Sequence, residues 1–116
     1  MKRSIIVLSM SIAAVGISCG VPAIAGVPDP ATIAAAKTPA DHEAISKAYE
    51  AEATSMEKMA AMHKNLAETY GQPGLKAIQK AQAKHCDSVA SDLESAAKEE
   101  HALAAEHHKM AAAAGK

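Results

Sequence analysis

The sequence predicts an all-α protein: a long antiparallel helical hairpin of coiled-coil type, preceded by a signal peptide. Three observations predict it. Two runs free of internal Pro and Gly flank the cluster Gly71-Gln72-Pro73-Gly74. Alanine, the best helix former, dominates both runs. Within them, larger side chains recur at alternating steps of three and four, the pattern of a helix seam. The chain has 116 residues, no Phe or Trp and only two Tyr. That allows one domain at most, with a small core.

The N-terminal segment reads as an address. Met1-Lys2-Arg3 is basic, Ser4 to Ser18 is apolar and uncharged, and Pro22 precedes the small-residue triplet Ala23-Ile24-Ala25. This is the layout of a secretory signal peptide over residues 1–25, with Gly26 opening the mature chain. A competing reading takes residues 1–18 as a lipoprotein signal. Val15-Gly16-Ile17-Ser18-Cys19 fits a permissive lipobox, which would make Cys19 the lipidated first residue. Both readings place the protein in the cell envelope, periplasmic or secreted in the first case and lipid-anchored in the second. Membrane attachment is expected only through the signal or the lipid, because the apolar run is short for a span.

Residues 26–38 form a leader or linker rich in Pro, Ala and Thr, in which Asp29-Pro30 could start one short helix through Ala36. Thr38-Pro39-Ala40-Asp41 is a stronger start signal: an N-cap Thr, Pro at the first helical position, and an acidic partner for a capping box. The first long helix should therefore run from Pro39 to Tyr70, with Gly71 as the left-handed residue that ends it. The second should run from about Leu75 to Ala112. Residues 39–112 thus form the hairpin, and 113–116 a tail.

On the first helix the seam is read as His42, Ile45, Tyr49, Glu52, Met56, Met59, His63, Leu66 and Tyr70. On the second it runs Leu75, Ile78, Gln82, then Cys86, Val89, Leu93, Ala96, Glu100, Leu103, His107 and Met110, with an irregular step near Cys86. Ala48, Ala60, Ala67, Ala90 and Ala97 are expected to flank it and allow close approach. A lone hairpin buries one stripe per helix, so a homodimer in the form of a four-helix bundle is the natural remedy.

Composition excludes several functions. Removing Lys2 and Arg3 takes the formal net charge from −1 to about −3 and leaves no basic patch, so nucleic-acid binding is not expected. The one G-x-S-x-G match, Gly16-Ile17-Ser18-Cys19-Gly20, falls in the segment read as an export signal, and the chain carries no Walker loop, H-E-x-x-H or C-x-x-C motif, so no enzyme is expected. What stands out is a set of soft and borderline metal ligands: six His, Met56, Met59, Met62, Met110 and Cys86. Thiolate and thioether suit Cu(I), and imidazole suits copper and zinc. A corner at Gly71 to Gly74 pairs positions whose numbers sum to about 145. Met59, His63 and Cys86 would then converge as ligands for Cu or Zn, with His85 and Met56 supporting. His42 and His107 form a second candidate site.

Other readings compete with this one. Seam methionines are ordinary core fillers, and adjacent His85 and Cys86 diverge by about 100° on a helix. Cys86 could instead form an intermolecular disulfide that staples two hairpins. The alternative function is a structural or protein-interaction module without metal.

Overall fold

The structure, a computed structural model, describes residues 26–116. The signal-peptide readings and Cys19 lie outside these residues. Three helices and no strand are present among them: α1 (Pro30–Ala35), α2 (Pro39–Tyr70) and α3 (Ala77–Ala114). None is long and apolar enough to cross a membrane.

Local chemistry sets each boundary. Asp29 caps α1, its carboxylate accepting from the Ala31 and Thr32 N–H groups at 2.9 and 3.0 Å. At α2 the capping box forms as expected. Thr38 Oγ1 accepts from the Asp41 N–H at 3.1 Å, and the Asp41 carboxylate accepts from the Thr38 N–H at 2.9 Å. These hydrogen bonds satisfy N–H groups that a helix start otherwise leaves bare.

The corner differs from the expectation in two ways. Gly71 stays right-handed, at φ −81°, and its N–H donates to Ala67 O at 2.9 Å, continuing the helical turn. The left-handed residue is Gly74, at φ +89°. In addition, α3 begins at Ala77 rather than Leu75. Its first turn is closed by the Gln79 side chain, which accepts from the Lys76 N–H at 3.0 Å. No equivalent group stands three residues after Gly74 to start the helix earlier.

The two long helices pack along their alanines. Ser46, Ala53, Ala60 and Ala67 on α2 are buried, as are Ala90, Ala97, Ala104 and Ala111 on α3. Each row repeats every seven residues. Interleaved with them, His42, Tyr49, Met56, His63 and Tyr70 are buried or half-buried on α2. On α3 the matching row is Gln79, Cys86, Leu93, Glu100 and His107. Steps of four and three then alternate without interruption from Gln79 to Ala111, and the irregularity near Cys86 disappears. The seam is therefore rotated by one residue from the expected one. Met59 (41% exposed), Leu66, Val89, Leu103 and Met110 (46%) leave the core.

Small side chains explain the rotation. Helices that meet on methyl groups bring their backbones close enough for dispersion contacts that longer side chains would hold apart. Ser46 shows how close: its hydroxyl, itself buried, donates to the backbone carbonyl of Ala104 on the opposite helix at 2.8 Å.

The two faces of the hairpin differ sharply. On one, Glu50 and Glu57 meet His101, Glu43 meets His108, and Lys64 pairs with Glu94. Two positions on from Glu43, Glu50, Glu57 and Lys64 stand Ile45, Glu52, Met59 and Leu66. Residues two apart on a helix point about 200° apart, so this second row lies on the other side. Val89, Ala96, Leu103 and Met110 hold the same position on α3. One end of this apolar face is covered: Ile33 and Ala36, from α1 and its end, pack against the cluster of Ile45, Tyr49 and Ala104. The stretch expected as a linker thus contributes a short clip.

Replacing Ala97, 2% exposed at the seam, by Leu should overpack the interface and cost roughly 1–3 kcal/mol. The same change at exposed Ala102 should stay within about 0.5 kcal/mol. Urea midpoints of the two variants measure the difference.

Candidate functional site

The polar side chains of the seam form the candidate site. A surface row of His or Glu costs little, but polar atoms between packed helices must find partners or bear the loss of water. Three layers of such groups cross the hairpin.

The outermost layer is His42 against His107. Their Nδ1 atoms face each other at 3.2 Å, and His107 is 8% exposed. The rings lie 5.4 Å apart and tilted by 33°. The Tyr49 ring sits 5.8 Å from that of His107, one turn further in. Because one neutral imidazole can donate and the other accept, the pair satisfies itself with a single ring proton.

The second layer contains Glu100, with Glu52 close enough to act on it. Burial, and then the Glu52 charge, push the Glu100 carboxyl above its ordinary value. Its Oε2 is buried and has no hydrogen-bond partner. The third layer contains His63, whose Nδ1 is likewise buried without a partner. The register that sets His42 beside His107 sets His63 across from Cys86, a half-buried free thiol.

This register differs from the expected one. Contacts of His42 with His107 and of Ser46 with Ala104 place the pairing near a sum of 150, where the Gly71 to Gly74 corner suggested about 145. The late start of α3 moves the pairing in that direction. Met59 is consequently not across from Cys86. Of the five residues proposed as ligands, Met56, His63 and Cys86 lie on the seam, while Met59 and His85 are exposed beside it. Among the described residues, no group of three or more His, Cys, Asp or Glu stands together in a way that could hold a metal ion. The second candidate pair, His42 and His107, is brought together. Tyr49, which the sequence also placed on the seam, backs this pair.

Outside the seam, His101 bridges two carboxylates. Its Nδ1 lies 3.0 Å from Glu50 and its Nε2 3.0 Å from Glu57. Both ring nitrogens must carry protons to donate to both acceptors, which favours the cation. The Glu57 hydrogen bond, with the Glu50 charge and hydrogen bond behind it, raises the His101 pKa above 6.5. No family model matches the chain, and no curated protein or solved structure matches it.

Two pH effects follow. His101 has a raised folded-state pKa, so its stabilising contribution is complete below about 6.5 and fades as pH rises through the folded value. Melting midpoints between pH 6 and 9 should fall more steeply for the native protein than for His101→Gln. Glu100 is a carboxyl with a raised pKa, so its ionised form opposes folding at neutral pH. Glu100→Gln should raise the melting midpoint at pH 7, and the gain should vanish below the ordinary carboxyl value of 4.5, where Glu100 is protonated in the folded and unfolded chain alike.

Proposed function

We propose that this protein is an exported, non-enzymatic helical module whose working state is a pair of hairpins joined through their apolar faces into a four-helix bundle. The observation that carries the reading is the segregation of the two faces. Met59, Leu66, Val89, Leu103 and Met110 are all large, apolar and 37–46% exposed, and they occupy one position of the seven-residue repeat. The opposite face carries the cross-helix ion pairs.

Size favours a second copy as the occupant. About thirty overlapping residues at ~1.5 Å each make a face ~45 Å long. Two adjacent helices make it ~18 Å wide. The product, roughly 800 Å² per copy, is the contribution of one partner to a standard stable interface. The face already accepts a helix, since α1 covers its end at Ile45. Its rim argues against a bilayer surface. Asp92, Glu99 and Glu106 stand one turn from Val89, Ala96 and Leu103 and are exposed, so they would be repelled by anionic lipid.

Sedimentation equilibrium of the mature chain at tens of micromolar should give twice the chain mass. Leu66→Glu with Leu103→Glu should return it to a monomer that stays helical. A native protein that remains monomeric at that concentration, or that gains helix only on vesicles, would sink the reading.

One observation favours a second reading, the binding of a soft metal such as Cu(I), or of Zn, through His63 and Cys86. The His63 Nδ1 is buried and unsatisfied, as a ligand atom awaiting an ion would be. A Cu(I)-dependent rise in melting midpoint, lost in His63→Ala and in Cys86→Ser, is its expected signature.

A further inference from the structure

We infer that His42 and His107 form a binding site for a borderline divalent cation, with zinc as the reference ion, that clamps the open end of the hairpin. The site is distinct from His63 and Cys86 and does not depend on dimerisation.

The argument starts from distance. Zinc binds imidazole nitrogen at about 2.0–2.1 Å with tetrahedral angles, which puts two nitrogens of one coordination sphere roughly 3.3–3.4 Å apart. The His42 and His107 Nδ1 atoms are 3.2 Å apart, so the two donors already span such an edge. An ion would need little movement of either backbone.

Position supports the assignment. His107 is nine-tenths buried, its ring is backed by Tyr49, and it belongs to a seam pinned by the buried Ser46 hydrogen bond to Ala104. Ring orientation is therefore fixed by packing, which lowers the cost of holding an ion. His42 is half-buried at the mouth of the layer, which leaves a route for the ion and room for water at the remaining coordination positions. The two histidines stand together at the open end of the hairpin although they are 65 residues apart in sequence. An ion between them therefore closes a long loop, and cross-linking a long loop restricts the unfolded chain more than cross-linking a short one.

Proton accounting is simple. In the metal-free pair, one Nδ1–H donates to the other Nδ1. An ion held by both Nδ1 lone pairs requires each neutral ring to carry its proton on Nε2. One ring keeps its count by moving a proton from Nδ1 to Nε2 through water, and no net proton is lost when both start neutral.

The test uses the mature protein, zinc chloride as the probe and magnesium chloride as the control. One equivalent of zinc should raise the melting midpoint by several degrees, and magnesium should leave it unchanged. In ¹⁵N-labelled native protein, zinc should shift the ring nitrogens of His42 and His107 and leave both protonated at Nε2. His42→Phe and His107→Phe should each abolish the thermal response, while His85→Gln, His108→Gln and His63→Ala should keep it. Three outcomes would overturn the inference: no zinc response in the native protein, unchanged His42 and His107 ring resonances at saturation, or a response that disappears with His63→Ala. The resonance measurement needs no variant, so a poorly folding mutant does not blunt it. Sedimentation in parallel keeps failure of this site separate from failure of the paired-hairpin reading.

Discussion

The close meeting of two helices along rows of alanine is the constraint on which the rest of the structure depends. Leucine seams keep helices apart and fill the gap with side chains. Here Ala53, Ala60, Ala90, Ala97 and Ala104 are essentially sealed between the helices. The larger residues consequently have two fates. Those in the interleaved row, such as Tyr49, His63, Glu100 and His107, lie in or at the edge of the narrow seam. Those one position away, such as Leu66 and Leu103, are turned outward. A sequence this poor in bulky residues thus divides them between its internal seam, which takes Tyr49, Met56 and Leu93, and an outer face.

Polar chemistry in the seam follows from the same geometry. Alanine leaves layers in which only one side chain per helix has any length, so whatever occupies those layers meets its counterpart directly. His42 meets His107 and satisfies it. Glu100 and His63 retain buried atoms without protein partners. Such atoms oppose folding.

Much of the fold was legible in the residues. Thr38, Pro39 and Asp41 announce the start of α2, and its bounds at Pro39 and Tyr70 agree with the structure. The corner at Gly71 to Gly74 was equally plain, although the left-handed position fell on Gly74. The seam was harder to read. Ranking side chains by hydrophobicity favours Met59, Leu66 and Leu103, and only the spacing of Ala90, Ala97, Ala104 and Ala111 reveals that small size, rather than apolar area, decides what is buried. The register was hardest. It depends on Gln79 capping Lys76, a single side-chain hydrogen bond that shifts where α3 begins. The pairing of His42 with His107 survived that shift because both lie on the interleaved row, whereas Met59 and Cys86 do not share a row.

The seven-residue repeat of the alanine rows also bears on how the chain can change length. Removing or adding one complete repeat from each helix would leave alanine opposite alanine, keep the ion-paired face continuous and preserve the apolar row. An insertion that is not a whole number of repeats would rotate the faces out of register beyond that point. The fold can therefore grow or shrink in units of two matched repeats. The histidine layer at the open end and the glycine corner at the closed end would travel apart or together like the ends of an extensible ruler.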